Sequence, residues 1–232
     1  MGILSDDTAQ LIAAQDLAEY LSMATEDTMM GFSLDEFVPC LIDLLQVEHN
    51  PEIMLLACRC FANLVEAMPH SAQAIAAAGA IDILVGKLLN IEYIDLAEQA
   101  LITLEKMSSD VGTTILRAGG TIRNIKARQS LKLCLGLNAV LCYLDFFPIG
   151  VQRGALNTAA NICKRVPRDA IGLVQDSIPT LSNLLRHSDT KIIERACLCF
   201  ARYALVIALA FYLQSVATDC WTASRTTLKQ FT

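Results

Sequence analysis

The chain has 232 residues, of which 54% are hydrophobic, 18% charged and 6% aromatic, with a formal net charge of −6. This composition excludes a disordered chain and supplies enough apolar residues for a substantial core. The acidic balance argues against a general nucleic-acid binder, which needs surplus Lys and Arg to displace counterions from phosphates.

No strand-like alternation runs for long, so an all-α chain is expected. Residues 5–31 read as the tail of a degenerate repeat, with Leu11, Ala14, Ala18 and Leu21 on one stripe and a loop over 25–31. Ser33 with Glu36 has the spacing of a capping box for a turn leading to a helix that opens at Pro39 and reaches about Val47. Asn50 then caps a longer helix, with Pro51 at its first position, where the missing N–H costs nothing. In that helix Ile53, Ala57, Cys60, Phe61, Leu64 and Met68 recur at three- and four-residue steps and define a buried stripe. A break at Pro69-His70-Ser71 precedes a short Ala-rich helix that stops at Gly79. A second repeat runs from about Ala80 to Gly120, its long helix carrying Leu96, Ala97, Ala100, Leu101, Leu104 and Met107. Gly119, forty residues after Gly79, is expected to end the corresponding short helix.

Residues 121–138 break the phase. They hold Arg123, Lys126, Arg128 and Lys132 with no acid, and are read as an insertion tolerated at a repeat boundary, the alternative being a basic binding loop. A third repeat occupies about 139–177, and a fourth starts at Ile178, with Pro179 matching Pro39, and reaches Arg202. Beyond it, 203–213 is an apolar run followed by a polar tail to residue 232. Eleven residues fall short of a membrane span, so a divergent terminal helix is expected rather than a membrane anchor.

The repeats phase together. Setting Ala57 against Ala97, Ala155 and Ala196 aligns Phe61, Leu101, Ala159 and Phe200, and then Leu64, Leu104, Ile162 and Tyr203. The steps are 40, 58 and 41, two of them a normal period for HEAT or armadillo repeats. One such unit cannot bury its own stripe, so copies must stack. The fold expected is an armadillo/HEAT-like right-handed α-solenoid of about four repeats over residues 1–202. The nine cysteines include Cys58, Cys60, Cys163, Cys197 and Cys199 at positions that want small apolar residues. With an acidic, polar N-terminus unlike a leader peptide, they read as reduced intracellular thiols filling the core.

Several ordered segments resemble the N-terminal armadillo region of HECT-type ubiquitin ligases of the plant UPL and thyroid-receptor-interactor type. They are Gln46-Val47-Glu48-His49-Asn50, Asp95-Leu96-Ala97-Glu98-Gln99-Ala100-Leu101 and Ile115-Leu116-Arg117-Ala118-Gly119-Gly120. Tyr143-Leu144-Asp145-Phe146-Phe147, Ala159-Ala160-Asn161-Ile162-Cys163 and Cys197-Leu198-Cys199-Phe200-Ala201-Arg202 complete the set. The resemblance covers about 4–120 and 139–202; residues 121–138 and everything past 202 depart from it, as in a truncated or alternatively spliced product. It implies a part in ubiquitin transfer to protein substrates, in nucleus or cytoplasm, with this region recruiting the substrate.

That family's chemistry rests on a cysteine in a HECT domain to which nothing here corresponds, so the chain is expected to be inert alone. Cys220 is the one cysteine in a polar context, but no neighbouring His or cation lowers its pKa. Cys58-x-Cys60 and Cys197-x-Cys199 point to different sides of a helix, which suits packing and not zinc. His49, His70 and His187 are scattered in loops, and neither metal nor cofactor is expected. What remains is a surface. One exposed column holds Arg59, Gln99, Asn157 and Leu198; the next holds Asn63, Thr103, Asn161 and Arg202, with Lys106 and Lys164 extending it. By the resemblance these helices line a concave groove, where amide side chains pair with the N–H and C=O of an extended peptide. The lysines favour an acidic partner. A free-standing adaptor or peptide-cargo carrier is the second reading. It wants tryptophans one turn before the asparagines, whereas the sole tryptophan is Trp221.

Overall fold

The computed structural model describes residues 2–89, 92–118, 136–142 and 144–208, and among them there is no strand. Helices α1 (Gly2–Ser22), α2 (Leu34–Leu45) and α3 (Pro51–Ala67) come first. They are followed by α4 (Ser71–Ala77), α5 (Ala80–Leu88) and α6 (Ile94–Arg117). Then come α7 (Gly136–Leu141), α8 (Ile149–Ile162), α9 (Ile171–Gln175), α10 (Ile178–Leu184) and α11 over residues 190–208. The long helices form one layer, with α3 packed between α1 and α6, and α6 between α3 and α8. A second layer backs it: α2 on α3, α5 on α6, α7 on α8. This is an all-α solenoid.

The core follows the sequence columns. Ala57, Ala97, Ala155 and Ala196 are all buried, and Ala14 takes the same place in α1. Phe61, Leu101 and Ala159 are buried, as are Leu64, Leu104, Ile162 and Tyr203. Phe200 is only partly buried, because α11 is the last described layer. Small residues in the first column let successive long helices approach, and large ones fill the space beside them.

Local signals account for two boundaries in particular. The Asn50 side chain accepts from the N–H of Glu52 (3.2 Å) and of Ile53 (3.3 Å), with Pro51 at the first turn, as expected. Gly79 sits at φ 88° between α4 and α5, where the chain bends by 82°; a side chain would strain that left-handed backbone. Those two helices are apolar enough together to mimic a broken membrane span, yet Ala72, Ile75, Ile81, Leu84 and Val85 are buried in the stack. Among the described residues no single helix is long and apolar enough to cross a membrane.

Five expectations are corrected. Helix α2 begins at Leu34, so Pro39 lies inside it; the proline is exposed, where water can serve the carbonyl that lost its donor. The capping box does not form, since the Ser33 carbonyl itself takes the N–H of Glu36 (3.3 Å) and Phe37 (3.2 Å). The second repeat's long and short helices merge into α6, kinked only at Val111 (φ −116°, ψ 20°), because no proline stands there as Pro69 does in the first repeat. Cys197 is exposed, with no described helix stacked over it, while Cys58, Cys60, Cys163 and Cys199 are buried free thiols. The repeat boundary expected at 202 falls inside the continuous helix α11.

Residues 136–138, assigned to the insertion, belong to α7. The N–H of Gly136 donates to the Ala118 carbonyl at 2.8 Å, so the two flanks of the phase break meet directly. Gly119, the basic residues Arg123, Lys126, Arg128 and Lys132, and all of 209–232 including Cys220 and Trp221 lie outside the described residues.

Candidate functional site

The polar column of the long helices does two jobs. Asn63 Nδ2 donates to the Ala18 carbonyl of α1 at 3.0 Å. Thr103 Oγ1 donates to the Cys58 carbonyl of α3 at 3.0 Å and also lies 2.8 Å from the Gln99 carbonyl one turn back. Asn161 Nδ2 reaches Ser108 Oγ of α6 at 2.9 Å, and the Arg202 guanidinium reaches the Ala160 carbonyl of α8 at 2.5 Å. Ala160 is among the last four residues of α8, whose carbonyls lack helical partners, so Arg202 caps the helix before it. Each repeat is thus bonded to its predecessor by the very column expected to face a ligand.

Thr103 is wholly buried, which removes it from any partner surface: its role is to join α6 to α3. Asn63 and Gln99 are half-buried and Arg59 is exposed. Lys106 forms an ion pair with Glu66, tying α6 to α3 at the groove's edge. Lys164 is exposed, in the 3₁₀ turn Cys163–Arg165 that ends α8.

Farther along, the same face opens. A cleft of about 540 Å³ lies between α6, α8 and α11, lined by Glu105, Lys106, Asn157, Ala160, Asn161, Arg195 and Arg202. It brings together four residues expected from sequence, Lys106, Asn157, Asn161 and Arg202. Arg59, Asn63, Gln99, Thr103 and Lys164 do not line it. Glu105 and Arg195 were missed. Glu105 stands in the column of Val65 and Cys163, and Arg195 in that of Leu56 and Leu96, positions that are apolar in other repeats. A charged residue at an apolar phase was the available signal.

Glu105 fits because of Gly154. A methyl group there would come within 2.2 Å of its carboxylate, so the missing side chain makes the space. Asn157 Nδ2 holds the carboxylate at 2.9 Å. Among the described residues no carboxylate lies within salt-bridge distance of Arg195. Lys106 is matched by Glu66, so two arginines stand beside the single carboxylate that lines the cleft, in a chain that is acidic as a whole. At the head of α11, Asp189 accepts from the Arg153 guanidinium and from the Ile192 N–H (3.1 Å), joining α8 to α11 at one end of the cleft. The hydrogen bond from Arg153 is the main cause that pulls the Asp189 carboxyl down to about 2. Elsewhere, burial pushes the Cys58 and Cys60 thiols up to about 12, so both are protonated core groups at neutral pH.

The family described as "E3 ubiquitin-protein ligase TRIP12-like, TPR repeats" matches residues 3–117. The chain is 45% identical over 203 residues to E3 ubiquitin-protein ligase UPL3 of Arabidopsis thaliana, an alignment spanning 88% of this chain and 10% of that protein. It is 41% identical over 197 residues to E3 ubiquitin-protein ligase TRIP12 of Danio rerio, spanning 85% of this chain and 9% of that one. Over most of its length the chain is thus similar to one part of these E3 ubiquitin-protein ligases. It spans about a tenth of the length of these relatives. Among solved structures, a designed armadillo repeat protein in complex with the peptide (KR)4 superposes with TM-score 0.61 at 18% identity, covering 82% of this chain and 74% of that one. The armadillo-repeats-only protein of Plasmodium falciparum gives 0.62 at 14% identity, covering 83% and 79%. At such identities these two speak for the fold alone, which is armadillo-like; the three-helix units match that description better than the helix pairs a TPR name implies.

Proposed function

We propose that this chain is the substrate-recruiting segment of a HECT-type ubiquitin ligase, acting in the nucleus or cytoplasm. It holds a protein substrate on the concave face of its long helices, and a HECT domain elsewhere in such a ligase transfers ubiquitin. The observation that carries this reading is the cleft between α6, α8 and α11, where amides and cations line a face shared by three successive repeats. The relatives support the pathway, and the designed armadillo protein bound to (KR)4 supports, by analogy of fold, a polypeptide ligand.

The test places Asn161→Ala together with Arg195→Glu in a ligase that carries this segment. Ubiquitin loading onto the HECT cysteine should be unchanged, while modification of a bound substrate falls. Unchanged substrate modification, or lost loading, contradicts the reading. Incubated with activating enzyme, conjugating enzyme and ubiquitin, the chain itself should gain no reducible adduct; one on Cys220 would make it an enzyme in its own right.

A further inference from the structure

The recruitment reading leaves open what kind of segment the cleft takes, and its chemistry is specific enough to answer. Asn157 and Asn161 each spend one amide N–H inside the protein, on Glu105 and on Ser108. Each keeps a second N–H and its Oδ1, the pair that matches the C=O and N–H of one peptide unit. The cleft is lined from three long helices lying side by side, so a chain running along it crosses them. Arg195 and Arg202 are seven residues apart on α11, about 10 Å along the helix axis. They therefore stand on either side of the path of a crossing chain. An extended chain sends successive side chains to opposite sides. Acids separated by an odd number of residues reach the two guanidiniums together, and acids at even separations crowd one side.

We propose that the cleft between α6, α8 and α11 takes an extended acidic segment of a protein partner, its backbone held by Asn157 and Asn161 and its carboxylates by Arg195 and Arg202. The proposal rests on the recruitment reading and refines it. Glu105 is the one carboxylate in the cleft, and it is drawn back over Gly154 onto Asn157. Arg202 spends one N–H on the Ala160 carbonyl and retains four others for a ligand. Guanidinium forks match carboxylates in geometry as well as in charge. A basic segment would meet two arginines, with Glu105 already held by Asn157 and Glu66 by Lys106.

The test is fluorescence anisotropy on the full chain with labelled decapeptide pools, randomised among small polar residues except at two fixed positions. The fixed pair is glutamate at odd separation, glutamate at even separation, glutamine, or lysine; a ten-nucleotide oligothymidylate serves as a bare polyanion. The odd-spaced glutamate pool should bind at least about tenfold tighter than the lysine pool, about 1.4 kcal/mol, and more tightly than the even-spaced pool. Arg195→Glu should abolish that preference, and Glu105→Gln should tighten acidic binding by about two- to threefold through removal of a like charge. Circular dichroism on each variant separates lost binding from lost folding. Lysine peptides binding as well as acidic ones, an unchanged affinity in Arg195→Glu, or oligothymidylate competing as well as the acidic pool would each overturn the proposal. Glutamine peptides binding as tightly as glutamate ones overturn the acid preference and leave recruitment standing. If no pool binds, the acidic segment is refuted, and recruitment is decided separately by the ligase assay.

Discussion

The two halves of the long-helix layer use the same positions for opposite ends. Between α3 and α6, the column residue is Thr103, fully buried with its hydroxyl on the Cys58 carbonyl, and the Lys106–Glu66 pair bridges the rim. Between α6, α8 and α11, the column residues are Asn161 and Arg202, half-exposed around a cleft of about 540 Å³. A short hydroxyl reaches only the neighbouring backbone, so the helices close over it. Longer amides and guanidiniums reach the neighbour and still present polar atoms outward. At these two joints a short column side chain goes with closure and long ones with a cleft, while Asn63 at the α1–α3 joint reaches the Ala18 carbonyl without lining that cleft.

The largest effect should come where both halves share a core. Phe61 is fully buried in α3, and Phe61→Ala should cost about 3–5 kcal/mol by chemical denaturation, through lost burial and a residual cavity. A loss under about 1 kcal/mol would mean that the helices do not stack around this ring. The joint and the groove are next separated by a matched pair. Thr103→Val keeps shape and removes the hydroxyl, so it should cost about 1 kcal/mol of stability while leaving peptide affinity unaltered. Asn161→Ala also loses an inter-helix bond, to Ser108 Oγ, so it should cost a similar amount of stability but add a clear loss of binding that Thr103→Val lacks. The same outcome for both variants would erase the distinction between the halves.

A smaller effect concerns the joint at the head of α11. The Asp189 carboxyl, held near 2 chiefly by Arg153, lies below its ordinary 3.8. A depressed folded value means the unfolded chain binds the proton first as pH drops. The stabilisation is therefore complete above about pH 4 and fades as pH falls toward about 2. Melting temperature measured across that window should fall more steeply in the wild type than in Asp189→Asn. Parallel curves would show that the Arg153–Asp189 contact is not maintained in solution.

Much of the fold was legible because it is periodic. Four alanines at steps of 40, 58 and 41 located the stacking seam, and Asn50-Pro51 and Gly79 marked real boundaries. Pro39 misled because a proline on the exposed side of a helix can sit in its second turn as well as open it. The fusion into α6 was hidden because a helix stops only where its next residues refuse to continue it. Asp110-Val111-Gly112 can still take near-helical angles and so only kinks, whereas Pro69-His70 ends the helix. The site was half legible. Asn157, Asn161, Lys106 and Arg202 emerge from phase, but Glu105 and Arg195 line the cleft from apolar phases, Glu105 where Gly154 leaves room at α8. That adjustment between repeats is tertiary, and no single repeat contains it.

Hydrogen exchange on the full chain, free and with the odd-spaced glutamate pool, tests the groove most directly. Protection is expected in α8 and α11, around residues 154–164 and 195–205, with α1 and α3 unchanged. Protection spread evenly over all the long helices, or confined to α1 and α3, would contradict it.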